Sequence, residues 1–208
     1  MFITFEGPEG CGKTTQIPLL ADFLREKGFS VLTTREPGGT EIGDQVRGIL
    51  TNLKNTGMHP RTETLLFLAA RAQLVEQCIR PALKRGSLVL CDRYADSTLA
   101  YQGYGHQNDL GVLRQLLNYA TGNLWPDLTL LLAIDPEKGL QRRRSGGEWN
   151  RLDAYELAFH QRVWEGYQEL ARQEPERWVT IDASQPLDIV QTQIRQVVLE
   201  RLARRTAQ

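Results

Sequence analysis

Residues 7–14 read GPEGCGKT, and this stretch gives the strongest signal for the fold. It matches the pattern G-x-x-x-x-G-K-[ST], it follows the apolar run MFITF, and a segment of helical period comes after it. Glycines at such a turn let the backbone curl until its N–H groups converge on phosphate oxygens, and the positive end of the following helix adds to the attraction. The stretch therefore predicts a nucleoside triphosphate site where the first strand meets the first helix.

Individual positions of this phosphate-binding loop have distinct expected roles. Lys13 is expected to reach the β and γ phosphates, and the Thr14 hydroxyl to ligate Mg²⁺. Cys11 lies near a helix N-terminus, a setting that can make a thiol reactive, but we favour the simpler interpretation of a small residue filling a tight loop. The positions expected to bind the triphosphate are Gly7, Pro8, Glu9, Gly10, Cys11, Gly12, Lys13, Thr14 and Thr15.

Short apolar runs alternate with longer segments of helical period along the whole chain. Strands alternating with helices form βαβ units, and near-continuous apolar runs such as LTLLLAI fit strands covered on both faces. The pattern predicts an α/β fold with a doubly wound, five-stranded parallel sheet flanked by helices. Strands are predicted at 1–5, 30–34, 87–91, 128–134 and 178–181. Helices are predicted at 13–27, 41–54, 62–85 (with a kink at Pro81), 153–173 and 187–205.

Composition limits the classes of function. The 208 residues include 25 Lys and Arg against 25 Asp and Glu, and this zero formal charge argues against a dedicated nucleic-acid or membrane-surface binder. The three cysteines form no CxxC pair, which favours a reducing compartment over a disulfide framework or a zinc site. No apolar run approaches the roughly 18 residues of a membrane span, and the first residues lack the features of a signal peptide. We expect a single cytoplasmic domain over residues 1–208.

A second polar motif, Asp92-Arg93-Tyr94, directly follows the predicted strand at 87–91. Residues just past the carboxyl ends of parallel strands face the ligand crevice of such folds. An aspartate at that place can hold the Mg²⁺ shell, usually through water, and an arginine can grip an anionic substrate with two parallel hydrogen bonds. Asp92 is therefore a second expected metal ligand beside Thr14.

Together, these motifs and several further stretches resemble the thymidylate kinases. The resemblance runs from Met1 to about Ile194, and it implies the P-loop fold of nucleoside monophosphate kinases. It also implies transfer of the γ-phosphoryl group of ATP, with Mg²⁺, to thymidine monophosphate (dTMP), and a homodimer packed through helices such as 62–85. The matching stretches are the phosphate-binding loop with its acid at Glu9, REPGGT at 35–40, FLAAR at 67–71, DRY at 92–94, ST at 97–98, YQG at 101–103 and NRLD at 150–153.

The resemblance also implies which residues bind the acceptor. Glu9 would accept a hydrogen bond from the sugar 3′-hydroxyl. Phe67, which on spacing alone is more typical of a core residue, would stack on thymine. Arg71 lies four residues further along the same helical face and would donate to the base carbonyl. The remaining expected contacts are Arg47 and Arg93 to the monophosphate, and Thr98, Tyr101 and Gln102 to the base and sugar.

The segment at about 141–151 is predicted to be a lid that brings positive charge to the transferring phosphate. The resemblance implies a lid arginine, because Gly10 occupies the loop position where some thymidylate kinases carry one. The segment departs from the family pattern, with GGE at 146–148 instead of R-G-E and NRLD instead of D-R-x-E. Arg142, Arg143, Arg144 and Arg151 are available, and the sequence leaves the choice open. The expected catalytic residues are Arg144, Arg151 as second choice, Lys13 and Arg93.

Two other functions stay open at this point. One is a kinase of another nucleoside monophosphate or of a deoxynucleoside, although a purine needs a roomier pocket than Phe67 and Arg71 would leave. The other is a non-catalytic P-loop nucleotide-binding protein. The chain has no N-K-x-D tetrad of a guanine-binding switch, and it keeps Lys13 and Asp92, which a binding-only relative would be expected to lose.

Overall fold

The computed structural model of the chain describes residues 1–146 and 149–206. In this part of the chain, five parallel strands form one sheet in the order β2-β3-β1-β4-β5. The strands are β1 (Phe2–Glu6), β2 (Val31–Arg35), β3 (Leu88–Asp92), β4 (Leu128–Ala133) and β5 (Trp178–Asp182). The predicted five-stranded parallel sheet is confirmed, with strand ends that differ by one residue from most of those predicted.

Helices cover both faces of the sheet. They are α1 (Lys13–Glu26), α2 (Glu41–Thr51), α3 (Pro60–Leu74), α4 (Arg80–Lys84), α5 (Ala95–Thr98), α6 (Leu110–Thr121), α7 (Pro136–Ser145), α8 (Leu157–Gln173) and α9 (Leu187–Thr206). Two π-helical segments, Val75–Ile79 and Leu99–Gly105, continue α3 and α5. The first of them lies just before Pro81, whose missing N–H interrupts the α-helical ladder. Among the described residues, no helix combines the length and apolar content needed to cross a bilayer.

Three helices, α5, α6 and α7, were not predicted from the sequence. Asp109 caps α6 by accepting from the Val112 amide at 3.0 Å. Asp135 caps α7 in the same way, through the amide of Glu137, with a proline at the first helical position. The α7 segment, PEKGLQRRRS, has almost no apolar residues, so it carries no periodic stripe from which a helix could be predicted.

The start of α8 was also predicted wrongly. The helix begins at Leu157 and not at residue 153. The preceding residues are instead hydrogen-bonded to α2: the Arg151 amide donates to the Thr51 carbonyl oxygen at 3.2 Å. A long-range contact therefore sets this boundary, and the local helical pattern does not.

Two apolar clusters hold the helices against the sheet. One lies between the sheet and the pair α1 and α9, and it includes Ile3, Leu20 and Ile194. The other lies on the opposite face and includes Phe2 and Tyr167. Neighbouring residues of β1 thus point into different clusters, which is why the strand is apolar at nearly every position.

The topology brings three loops together at one edge of the sheet. β1 ends at Glu6, where the phosphate-binding loop starts, and β3 ends at Asp92 beside it. The register pairs Phe5 with Asp92, and Asp92 with Arg35 at the end of β2. The carboxyl ends of these strands therefore form one crevice, the usual ligand position in doubly wound sheets.

Candidate active site

The phosphate-binding loop is closely packed against the rest of the protein. Gly7 has φ 140° and Gly10 has φ 68°, conformations that side chains other than glycine rarely adopt. A Cβ atom added at Gly10 would overlap the carbonyl oxygen of Gly139 in α7. Lys13 is buried at the start of α1, and its Nζ donates to the Gly7 and Pro8 carbonyl oxygens at 3.2 and 3.1 Å. The loop thus presents its lysine and the N-terminus of α1 to one space.

That space is a cavity of about 450 Å³, within the range of small-molecule sites. The structure gathers most of the predicted site residues around it. The predicted residues that line the cavity are Glu9, Gly10, Cys11, Gly12, Lys13, Thr14, Thr15, Arg47, Phe67, Arg71, Asp92, Arg93, Thr98, Tyr101 and Gln102. Four predicted residues are not part of the lining, namely Gly7 and Pro8, which are buried, and Arg144 and Arg151.

Arg93 is held at the middle of the cavity by several partners. Its backbone has φ 67°, and its amide donates to the Phe5 carbonyl at 3.0 Å. One guanidinium nitrogen lies 2.7 Å from Glu9 Oε1 and 3.0 Å from the Tyr101 hydroxyl. Burial alone would raise the pKa of Glu9, but Arg93 and then Lys13 hold it at about 2. Glu9 is therefore a carboxylate that can only accept hydrogen bonds.

Arg71 forms a buried ion pair at another wall of the cavity. Its guanidinium reaches Glu36 Oε2 at 2.6 Å and donates to Thr98 Oγ1 at 2.8 Å. Burial alone would lower the pKa of Arg71, but the Glu36 carboxylate raises it above its ordinary value. The arginine is thus a fixed cation, one helical turn from Phe67 on α3. Glu36 belongs to the REPGGT stretch, and no role was predicted for it.

The end of α7 supplies arginines to the cavity, though not the one expected first. Arg142 and Arg143 line the cavity, and Arg143 Nε lies 3.3 Å from Asp153 Oδ2. Arg144 points elsewhere, with its guanidinium carbon 4.8 Å from the centre of the Trp149 ring. Of the predicted lid, Gly147 and Glu148 lie outside the described residues.

Arg151, the second choice for the catalytic arginine, is not among the residues that line the cavity. Its side chain is 6% exposed, and it lies 2.6 Å from Glu63 Oε2 and 2.7 Å from the Leu50 carbonyl oxygen. Burial alone would lower its pKa, but the hydrogen bond to Glu63 raises it. Arg151 therefore ties the segment after α7 to α2 and α3, and its catalytic role stays a prediction.

Comparison with known proteins agrees with this arrangement. Residues 5–194 match the family model described as Thymidylate kinase. The chain belongs to the thymidylate kinase family. It is 54% identical to the thymidylate kinase of Thermomicrobium roseum, with 98% of this chain and 96% of that protein covered. It is 52% identical to the thymidylate kinase of Roseiflexus castenholzii, at 98% and 94% coverage.

The fold agrees with a solved thymidylate kinase as well. The crystal structure of thymidylate kinase from Ehrlichia chaffeensis superposes with a TM-score of 0.77 at 34% sequence identity, covering 95% of this chain and 98% of that one. The family, the fold class and the function of an ATP-dependent phosphotransferase for dTMP, all predicted from the sequence, are confirmed. The roles of individual residues stay predictions.

Two buried carboxylates near the thymidylate kinase site were missed by the sequence analysis. Glu6 lies beneath the phosphate-binding loop and accepts from the Tyr94 amide at 2.8 Å and the Ser97 hydroxyl at 2.6 Å. Glu63 accepts from Gln102 at 2.8 Å. A glutamate in an apolar strand, as at position 6, is a sequence signal that could have been used, because a buried charge is rarely retained without partners. Glu63 gives no such signal, because acids are common in the first turn of a helix.

Proposed function

We propose that the chain transfers the γ-phosphoryl group of ATP to dTMP, giving ADP and thymidine diphosphate (dTDP), with residues 1–208 acting as one kinase domain. The observation that carries the proposal is a cavity lined both by the phosphate-binding loop and by the residues predicted to contact the base. Lys13 lies on one side of this cavity, and Phe67 and Arg71 lie on another. Arg93 lines the same cavity and would hold a phosphate within reach of both.

On the donor side, the proposed ligands of the triphosphate are the backbone of residues 7–15 and the Lys13 ammonium group. The Thr14 hydroxyl and the Asp92 carboxylate both line the cavity and are oxygen donors, which fit Mg²⁺. No cluster of three or more metal-binding side chains occurs in the described residues, and Mg²⁺ usually takes only one or two protein ligands besides phosphates and water. When bound, the ion would neutralise charge on the phosphate oxygens.

On the acceptor side, Arg47 and Arg93 are proposed to hold the monophosphate. Burial, and then the neighbouring Arg35, lower the pKa of Arg47, so a dianionic phosphate would relieve the repulsion there. Phe67 would stack on the base, while Glu9 accepts from the sugar hydroxyl. The remaining proposed contacts are Arg71, Thr98 and Gln102 to the base and Tyr101 to the sugar.

Residues 141–151 are proposed as the lid, and Arg143 as its catalytic arginine. Arg143 lines the cavity and acts on Glu9, whose pKa it helps to lower. A cation at this place can stabilise the charge that develops on the transferring group, and Arg142 lies beside it. No covalent enzyme intermediate is needed, because positioning and electrostatics suffice for phosphoryl transfer.

We also propose that the chain forms a homodimer and acts in the cytoplasm. Large apolar side chains are exposed on neighbouring helices, with Ile42 and Ile49 on α2 at 54% and 47%, and Leu65 on α3 at 58%. Burying such side chains against a second copy would be favourable. The three cysteines are free thiols, which suits a reducing compartment.

The proposal is tested by measuring ADP release with ATP, Mg²⁺ and a panel of acceptors, namely dTMP, dUMP, dCMP, dGMP, AMP and thymidine. We expect the highest kcat/KM with dTMP. Thymidine should fail, because it lacks the phosphate that Arg47 and Arg93 would hold. Preference for another acceptor would keep the kinase activity but reject the assigned base contacts. ADP release that no acceptor accelerates would reject the kinase function.

A further inference from the structure

Glu63 is the centre of a buried cluster that joins three parts of the chain. It lies in the first turn of α3, its side chain is 1% exposed, and four side chains contact its carboxylate. The Oε1 atom is 2.8 Å from Gln102 Nε2 and 3.0 Å from His106 Nε2. The Oε2 atom is 2.6 Å from Arg151 Nη2 and 2.8 Å from the Tyr155 hydroxyl. Of these partners, Gln102 also lines the cavity.

The contact with Glu63 fixes which end of the Gln102 amide faces the cavity. Burial alone would raise the pKa of Glu63, but the hydrogen bonds from His106, Gln102 and Arg151 hold it at about 2. The group is therefore a carboxylate and can only accept, so the NH₂ end of Gln102 must point to it. The Gln102 Oε1 atom has no donor among the described residues, although the side chain is only 1% exposed. Because Gln102 lines the cavity, this carbonyl oxygen is left to accept a hydrogen bond from a ligand there.

We propose that Glu63 is a positioning residue that sets base selectivity, by turning the Gln102 carbonyl oxygen toward the N3 position of the bound pyrimidine. This inference rests on the proposed function. Thymine and uracil carry an N3–H donor, which this oxygen can accept. Cytosine carries a bare N3 acceptor, so two lone pairs would face each other in a buried site. A site built to hydrogen-bond one partner rejects such an analogue strongly, because its polar group is left unpaired.

Exchanging Glu63 for glutamine is expected to reverse the orientation of the Gln102 side-chain amide. In Glu63→Gln, the new amide oxygen would face Arg151 and the Tyr155 hydroxyl, because a charged donor 2.6 Å away excludes an NH₂ group. The new NH₂ group would then face Gln102, which must turn its oxygen inward and its own NH₂ toward the cavity. That NH₂ group can donate to the N3 atom of cytosine and opposes the N3–H of thymine.

The experiment compares kcat/KM for dTMP, dUMP and dCMP in the wild type and in Glu63→Gln. We expect the dTMP to dCMP ratio to fall at least about tenfold, mainly through a higher KM for dTMP, as expected for one mispaired buried hydrogen bond. The dTMP to dUMP ratio should stay within about twofold, because both bases carry N3–H. Tyr155→Phe is the matched control, since it removes another donor to Glu63 and leaves the Gln102 bond in place. It should change neither ratio.

A folded Glu63→Gln variant with an unchanged dTMP to dCMP ratio would overturn the inference. An equal fall of the dTMP to dCMP and dTMP to dUMP ratios would also overturn it, because such a fall indicates general loosening of the pocket. If the single variant does not fold, Gln102→Met is the second test: it removes the carbonyl oxygen that Glu63 orients, so it should lower the dTMP to dCMP ratio at least about tenfold, and an unchanged ratio would overturn the inference. The kcat/KM ratios stay informative in such a variant, because a loss of kcat that is shared by all substrates cancels in the ratio. A wild type that does not prefer dTMP would reject the proposed function instead.

Discussion

Glu6 shows how a single buried residue can link the active site to pH. It accepts from the Tyr94 amide, the Ser97 hydroxyl and the Tyr167 hydroxyl, and the last two also contact Arg93. Burial, and then the neighbouring Asp96, raise the pKa of Glu6 from 4.5 to about 7. A raised carboxyl pKa favours the folded state while the group is protonated. This contribution is complete below about pH 4.5 and is lost as the pH rises through about 7.

Glu6→Gln should therefore flatten the dependence of stability on pH. Each pKa unit corresponds to about 1.4 kcal/mol, so the wild type should lose on the order of 3 kcal/mol relative to the variant between about pH 4.5 and 7. Urea denaturation of both proteins at several pH values measures this difference. If the unfolding free energies of the two proteins change in parallel between these pH values, the raised pKa of Glu6 is contradicted.

Arg143 and Arg144 are neighbours in sequence with opposite expected effects. Arg143→Met should lower kcat at least about a hundredfold, because it removes a cation from the cavity where charge develops. Arg144→Met should lower kcat by no more than about threefold, because that side chain lies over Trp149 outside the cavity lining. Steady-state kinetics with dTMP as the varied substrate give both values. A larger loss of kcat in Arg144→Met than in Arg143→Met would instead support Arg144, the first choice from the sequence, as the catalytic arginine.

At the scale of elements, α7 packs directly on the phosphate-binding loop. A Cβ atom added at Gly139 would overlap the Glu9 carbonyl oxygen. Gly139→Ala should therefore lower the unfolding free energy by about 1–3 kcal/mol and reduce kcat, since loop and helix must separate. Gly48→Ala in α2 is the control, because a Cβ atom there meets nothing within 4 Å. It should raise stability by about 0.5–1 kcal/mol. Thermal denaturation and kinetics of both variants check this, and equal stabilisation by the two would contradict the close contact.

Elements with local sequence signals could be predicted, whereas elements and contacts that depend on distant residues could not. The glycine-rich turn and the apolar runs are local signals, so β1, α1 and the parallel sheet followed from them. The α7 helix has no apolar stripe, and its position depends on a capping aspartate and on backbone packing. The partners of Arg151 and Gln102 come from α3, far away in sequence. No local pattern could have paired these side chains, because such contacts exist only once the chain has folded.

At the scale of the whole molecule, the exposed apolar side chains on α2 and α3 predict self-association. Leu65→Glu should convert a dimer into a monomer, because it places a charge where a second copy would bury a leucine. Val112→Glu on α6, at a side chain 53% exposed, is the control and should leave the dimer intact. Sedimentation velocity of the three proteins measures the outcome. A monomeric wild type, or dissociation only in Val112→Glu, would contradict this interface.

In the proposed reaction, one cavity brings ATP and dTMP together for direct transfer. The most direct test follows the transferred group, using ATP labelled at the γ-phosphate with Mg²⁺ and dTMP, and quantifying labelled dTDP against ADP. We expect one labelled dTDP for each ADP, and loss of both products in Lys13→Ala, which removes the cation expected at the phosphates. ADP formed without labelled dTDP, or undiminished transfer by Lys13→Ala, would contradict it.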